Sequence, residues 1–174
     1  MSNEAGRFDA VDIGCGESPR GDVNVDIYVP SVRPKNFVLG SAEYLPFKSG
    51  AFRIVRSSYV IEHCADCTRA IREHVRCCRE KTILATDNSE WLGDRLFRVV
   101  GRGRIYHSEH CYQWTVEYFG NLLRRLGLRA TVRASNLSPN AVVKLASLLG
   151  RLPRIGVWFL RDIVAEICKE DAPE

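Results

Sequence analysis

Short apolar runs alternate with polar turns along the first half of the chain. Each run is too short for a helix and is typical of a buried strand. We predict five strands, at residues 9–13, 23–28, 36–39, 52–59 and 82–86. Between the last two, apolar positions recur at helical spacing from Ala70 to Cys78. We therefore predict a helix that Asp66 or Thr68 caps and that ends near Arg79.

The second half of the chain is less regular. Thr115 can cap a helix that runs to Leu126 and stops at Gly127, and the alternation over 128–134 predicts a sixth strand. A further helix is predicted over 139–149. Residues 88–113 form an insert, with a helix of its own, that we expect to face a substrate. Periodicity leaves residues 158–168 open between a strand and a helix.

The segment from Val11 to Gly16 is the most informative part of the sequence. A short apolar strand carries Asp12 near its end and enters the turn Gly14-Cys15-Gly16. Glycines permit unusual backbone angles there and remove the Cβ atoms that would keep a ligand from the backbone. The second strand carries another acid, Asp26, ten residues after Gly16. This order of strand, glycine turn, strand and acid predicts a site for the ribose of a nucleoside-bearing cofactor.

Three segments resemble motifs of the class I S-adenosylmethionine-dependent methyltransferases, in particular those of methyltransferase type 11. They are residues 14–26 with the glycine turn and the acid, residues 40–47 (Gly-Ser-Ala-Glu-Tyr-Leu-Pro-Phe), and residues 57–63, where a strand ends in Glu-His. The resemblance implies a doubly wound, Rossmann-like α/β fold. Its mostly parallel sheet would have the strand order 3-2-1-4-5-7-6, with the last strand antiparallel near residues 163–167.

The same resemblance implies that S-adenosylmethionine is the cofactor. It also indicates which residues bind this cofactor: Asp12, Gly14, Cys15, Gly16, Asp26, Ile27, Ser41, Ala42, Glu43 and Ser58.

The chain departs from this family in several places. Ser41 stands where many relatives have an aspartate that meets the adenine amino group. Arg53 stands where an aspartate often opens the fourth strand, a position that we expect to be peripheral. The link from Gly16 to Val23 is too short for the usual crossover helix, so we predict one helical turn or an irregular loop there. The part of the fold before the first strand is expected to be reduced.

Two histidines are candidate catalytic bases, because an imidazole titrates near neutral pH. His63 follows the fourth strand and His110 lies in the insert; a structural role stays open for both. Cys64 and Cys67, together with His107 and His110, would offer four ligands to zinc. The two pairs are far apart in sequence for a compact zinc site, so we predict no metal.

Composition narrows the class of protein. The chain has 174 residues, of which 45% are hydrophobic and 26% charged, enough for a single domain with a substantial core. It has no apolar run long enough for a transmembrane segment and no signal peptide. We interpret its seven cysteines as mostly reduced and buried thiols of a cytoplasmic protein.

The net charge of +4 is concentrated in residues 88–161, where the acidic residues are Glu90, Asp94, Glu109 and Glu117. This basic half is either a solvated surface or a site for an anionic acceptor. Three hypotheses follow: methyl transfer to a small or medium-sized acceptor, methyl transfer to RNA through the basic half, and a non-catalytic scaffold that binds a cofactor or a partner. The apolar residues predicted for the helix over 141–149 make a homodimer a further prediction.

Overall fold

The computed structural model describes residues 8–92, 109–137 and 156–168. Within these ranges, seven strands form one sheet. In chain order they are β1 (Ala10–Ile13), β2 (Val23–Asp26), β3 (Phe37–Leu39), β4 (Phe52–Ser58), β5 (Cys78–Asp87), β6 (Ala130–Ser135) and β7 (Asp162–Cys168). The helices of the described part are α1 (Cys67–Cys77), α2 (Val116–Arg125) and a 3-10 turn at Gly156–Phe159.

The strand order is β3-β2-β1-β4-β5-β7-β6. β1 to β5 pair in parallel, whereas β7 is antiparallel to both β5 and β6. The predicted α/β fold, its strand order and its antiparallel last strand are therefore confirmed. For residues 158–168, periodicity could not decide between a strand and a helix. This segment contains the end of a 3-10 turn, followed by β7.

Burial explains why the sequences of the central strands are short runs of apolar residues. Parallel strands are covered on both faces, so their side chains are buried whichever way they point. Val11 of β1 and Val25 of β2 belong to one core cluster, which also takes in Ala70 of α1. A second cluster packs Phe119 of α2 against Ile163 of β7. The helices thus cover the sheet that carries the predicted cofactor segments.

Both helices begin where the capping residues predict. The Asp66 carboxylate accepts a hydrogen bond from the Arg69 backbone N–H at 2.9 Å, and the Thr115 hydroxyl accepts one from the Tyr118 N–H at 3.1 Å. These contacts satisfy N–H groups that have no partner within the first turn of a helix. Gly127, at a φ of 77°, follows the end of α2 as predicted.

The boundary between α1 and β5 differs from the prediction. We expected the helix to end near Arg79 and the strand to begin at residue 82, but β5 begins at Cys78, directly after the helix. Cys78 pairs with Phe52 and Lys81 with Ile54, so β5 has one residue more than β4 across this register shift. The polar run at 79–81 concealed this part of the strand, because its β conformation is set by the neighbouring strand rather than by its own pattern.

The connection between β1 and β2 contains no helix, as its length predicted. Side chains hold this loop in place. The Asp12 carboxylate accepts a hydrogen bond from the Arg20 N–H at 2.9 Å. The Asp22 carboxylate accepts two more, from the N–H groups of Asp9 (2.9 Å) and Ala10 (3.0 Å). The loop therefore has a defined path without a crossover helix.

Some predictions concern residues outside the described ranges. The helix over 139–149, most of the insert and His107 lie there, so the substrate-facing insert and the homodimer stay predictions, as does the single-domain organisation. Among the described residues, no helix is both long enough and apolar enough to cross a membrane.

Candidate functional site

A cavity of about 570 Å³ opens at the carboxyl ends of β1, β2, β3 and β4. The chain runs outwards from β1 through β2 to β3 and then crosses back to β4 on the other side of β1, and such a switch point is where open α/β sheets bind ligands. Predicted site residues line it together with residues that were not predicted. They are Ile13, Gly14, Gly16, Asp26, Ile27, Tyr28, Gly40, Ser41, Ala42, Glu43, Tyr59, Val60, His63, Cys64 and Glu109.

The two glycines of the first turn have different tasks. Gly14 has a φ of 72° and donates its N–H to the Val25 carbonyl at 2.8 Å. A Cβ at Gly14 would lie 2.0 Å from Val60 Cγ2, so packing within the protein excludes any side chain there. Gly16 has a φ of 49°, and a Cβ there would meet no atom within 4 Å. Its missing side chain leaves open space in the cavity, as a ligand that approaches the backbone requires.

The Asp26 carboxylate is held in place at the end of β2. One oxygen accepts the Gly16 N–H at 2.8 Å and the other accepts the Tyr28 N–H at 3.0 Å. Each carboxylate oxygen can accept more than one hydrogen bond, so both can still accept hydrogen bonds from a ligand. The glycine turn and the acid predicted to act together are thus joined directly.

The loop after β3 forms another wall of the cavity. Ser41 Oγ accepts the Glu43 N–H at 3.2 Å, and the Glu43 carboxylate accepts the Asp66 N–H at 3.2 Å. Ala42, which is buried, lines the cavity between these two residues. Glu43 therefore connects the cavity wall to the start of α1.

A second cavity of about 460 Å³ adjoins the first. Its lining comes from the ends of β4 and β5 and from the segment that precedes β7: Arg20, Ser58, Tyr59, His63, Asp87, His110, Leu137 and Arg161. Tyr59 and His63 line both cavities. The second cavity is thus in contact with the first along the turn that follows β4.

Backbone hydrogen bonds bring the two predicted histidines together. The Glu62 carbonyl accepts the N–H groups of Cys111 at 2.7 Å and Tyr112 at 3.2 Å, which fixes the segment containing His110 against the turn containing His63. The two imidazole rings are perpendicular, with centroids 4.5 Å apart. A carboxylate oxygen of the buried Glu62 lies within 4.8 Å of a ring nitrogen of each histidine. Burial and the nearby Asp87 raise the pKa of Glu62 to about 7.

Residues 23–86 match the family model of the methyltransferase domain. Among similar solved structures is a possible histamine N-methyltransferase from Thermotoga maritima, 16% identical over 93% of this chain and 82% of that one, with a TM-score of 0.63. The small RNA methyltransferase HEN1 is 17% identical over 97% of this chain and 24% of that one, with a TM-score of 0.64. The protein solved with the Trm112 methyltransferase activator of Haloferax volcanii is 14% identical over 97% and 84%, with a TM-score of 0.61. No curated protein matches the chain significantly.

The chain has the class I methyltransferase fold. The predicted resemblance to this family is confirmed over residues 23–86, and the predicted fold is confirmed by the similar solved structures. The three motifs that carry the resemblance converge on the first cavity.

Three of the predicted cofactor residues do not line the first cavity of this class I fold. Asp12 is 1% exposed and holds the loop through Arg20; burial raises the pKa of its carboxyl group. Cys15 is buried, and burial raises the pKa of its thiol to about 11. Ser58 lines the second cavity instead, where its hydroxyl accepts a hydrogen bond from Arg20 Nη2 at 3.2 Å.

Sequence reasoning missed the role of Tyr59. Its φ of 58° is rare for a bulky side chain, and such backbone strain collects at functional sites. The hydroxyl donates to Asp162 Oδ1 at 2.7 Å, and Asp162 is fully buried. Burial and Asp162 raise the pKa of the Tyr59 hydroxyl. Because Asp162 lies at the far end of the chain, no local pattern could have paired the two.

Other lining residues left weaker signals. Gly40 and Val60 stand inside the motifs that carry the family resemblance, but neither has a polar side chain that would single it out. Cys64 attracted attention only as a zinc ligand. It is buried and donates its thiol to the Val60 carbonyl at 3.4 Å, and none of the seven cysteines, all of which lie in the described ranges, forms a disulfide.

Proposed function

We propose that this protein transfers a methyl group from S-adenosylmethionine to a small or medium-sized anionic acceptor bound in the second cavity. The observation that carries the proposal is the contact between the two cavities at Tyr59 and His63. A donor in one cavity and an acceptor in the other would meet there, which is the positioning that methyl transfer needs.

The first cavity has the features that the nucleoside half of S-adenosylmethionine requires. Asp26 can accept hydrogen bonds from both ribose hydroxyls, and the open space at Gly16 lets the cofactor approach the backbone. Ser41 and Ala42, in the loop after β3, would then lie beside the adenine. When bound, the cofactor supplies a methyl group activated by its sulfonium leaving group.

The second cavity has the features that an anionic acceptor requires. The guanidinium groups of Arg20 and Arg161 lie at its lining, and each also lies near an acid, Asp12 at 3.9 Å and Asp87 at 4.0 Å. His63 and His110 are the residues of this lining placed to act on the acceptor's nucleophilic atom. Either imidazole could accept the proton that this atom loses.

Calorimetric titration of the purified protein with S-adenosylmethionine tests this proposal. We expect Asp26→Asn to weaken binding about 10- to 100-fold, because a hydrogen bond to a charged group contributes about 1.5–3 kcal/mol. Glu17→Gln is the matched control, since Glu17 is an exposed acid of the same loop whose carboxylate contacts Ser31. Equal affinities in the two variants would count against the proposed site.

RNA remains the second candidate acceptor. The exposed arginines of the described basic half do not favour it: Arg124 and Arg125 end α2 and Arg129 precedes β6, at the edge of the sheet opposite to the cavities. Binding to RNA that weakens steeply with salt, together with methylation of that RNA, would establish RNA as the acceptor. Tight cofactor binding without methylation of any acceptor would instead support the scaffold hypothesis.

A further inference from the structure

The structure assigns a divalent metal site to Glu62, His63 and His110. One potential ligand atom from each of these residues lies within 4.8 Å of the other two. Two ligands of one ion, each about 2.1 Å from it, are at most about 4.2 Å apart. The exposed His63 and the half-buried His110 need only small side-chain rotations to close this difference.

The strongest evidence is the state of Glu62. Its side chain is 1% exposed, and neither carboxylate oxygen has a hydrogen-bond partner of ordinary geometry among the described residues, although the Thr86 hydroxyl and the Asp87 N–H lie nearby. A carboxylate buried without a partner is unfavourable, and such groups are normally paired or bound to a metal. A cation between Glu62 and the two imidazoles would supply the missing partner.

The backbone holds the three ligands in place. Glu62 and His63 are consecutive residues of the turn after β4. His110 is fixed beside them because the two residues that follow it donate their N–H groups to the Glu62 carbonyl. The juxtaposition therefore depends on main-chain hydrogen bonds between Glu62 and residues 111 and 112, rather than on the reach of flexible side chains.

The ligand set indicates which ions fit. Two imidazoles and one carboxylate suit Zn²⁺, Co²⁺, Fe²⁺ or Mn²⁺ better than Ca²⁺ or Mg²⁺, which prefer oxygen ligands. Three protein ligands also leave coordination positions open, as in catalytic rather than structural sites. This inference revises the prediction from sequence that the protein has no metal.

His63 and His110 both line the second cavity, so an acceptor bound there could coordinate the ion at its open positions through a hydroxyl or carboxylate oxygen. A hydroxyl bound to the ion loses its proton more readily than a free one, and that proton passes to water. This role rests on the proposed function, and it makes both imidazoles ligands rather than bases. The metal site itself does not depend on methyl transfer.

Titration of the chelator-treated protein with Mn²⁺, Co²⁺ and Zn²⁺ tests the assignment, followed by calorimetry and elemental analysis. We expect one ion per chain, with affinity about tenfold or more weaker in Glu62→Gln and in His110→Gln. Two controls should keep the affinity of the unmodified protein. Glu109→Gln changes an exposed carboxylate beside the cluster, and Cys67→Ser removes a thiol of the C-x-x-C pair.

Binding of none of the three ions, or an affinity that follows Cys67 rather than Glu62 and His110, would overturn the site. Far-ultraviolet circular dichroism shows whether each variant is folded. Titration of the unmodified protein with S-adenosylmethionine, in parallel, separates the two proposals. Ion binding without cofactor binding would support the metal site and contradict the proposed function. Cofactor binding without ion binding would contradict the metal site and support the proposed function.

Discussion

Cavities open at both edges of the sheet, and their polar groups differ. The amino edge has a depression of about 670 Å³, larger than either cavity at the carboxyl edge. Two of its polar side chains are already used by the protein: Asp22 accepts two backbone hydrogen bonds, and Asn36 donates its side-chain amide to the Asp22 carbonyl at 3.0 Å. At the carboxyl edge, by contrast, the carboxylate of the buried Glu62 has no hydrogen-bond partner of ordinary geometry among the described residues, and Tyr59 has a strained backbone.

The comparison teaches that cavity size does not identify the functional edge. A polar group whose hydrogen bonds are satisfied within the protein stabilises the fold, and a buried one that lacks a partner points to a missing ligand. Arg53 lies at the amino edge between Asp9 at 3.2 Å and Glu80 at 3.4 Å, all exposed to solvent.

The largest effect is expected from Gly14→Ala at the carboxyl edge. The new methyl group would combine a positive φ with a clash against Val60, and together these should lower the free energy of unfolding by about 2–5 kcal/mol. Gly127→Ala is the control, because Gly127 also has a positive φ but a Cβ there meets nothing within 4 Å. Its cost should be about 1–2 kcal/mol. Similar losses in urea unfolding of the two variants would refute the close approach at Gly14.

A smaller loss is expected from Tyr59→Phe, which removes the hydrogen bond to the buried Asp162. Leaving that carboxylate oxygen without its donor should cost about 1–3 kcal/mol. Tyr118→Phe changes an exposed tyrosine of α2 and should stay within about 0.5 kcal/mol of the unmodified protein. Chemical denaturation measures both. A Tyr59→Phe variant as stable as its control would show that this bond does not hold β7 to the turn after β4.

The smallest effect is expected at the amino edge. Arg53→Ala breaks two exposed ion pairs, which water and salt already weaken. We expect a shift in the unfolding midpoint below those of the two preceding variants, a further decrease of that shift at high salt, and no change in affinity for S-adenosylmethionine. Weakened cofactor binding in this variant would break the division between the two edges.

The sequence predicted the parts of the fold that local patterns determine. Apolar runs identified the strands, Asp66 and Thr115 identified the helix starts, and the glycine turn with Asp26 identified two walls of the first cavity. The predicted start of β5 was wrong, because pairing with a neighbouring strand determines the conformation of the polar residues 79–81.

The rest of the candidate site depends on contacts between distant parts of the chain. Tyr59 meets Asp162 across 103 residues, and His110 reaches His63 only because its segment docks on the Glu62 carbonyl. Glu62 is part of the third motif, but the property that singles it out is a buried carboxylate with no hydrogen-bond partner of ordinary geometry among the described residues. Sequence patterns cannot show that property, since it depends on which groups fail to meet in the folded chain.

A crystal structure of the complex with S-adenosylhomocysteine, the demethylated cofactor, is the most direct test of the account. We predict that Asp26 accepts hydrogen bonds from the ribose hydroxyls, that the adenine lies against Ala42, and that the sulfur points to Tyr59 and His63 where the two cavities meet. A ligand bound elsewhere, or one whose sulfur faces away from the second cavity, would contradict it.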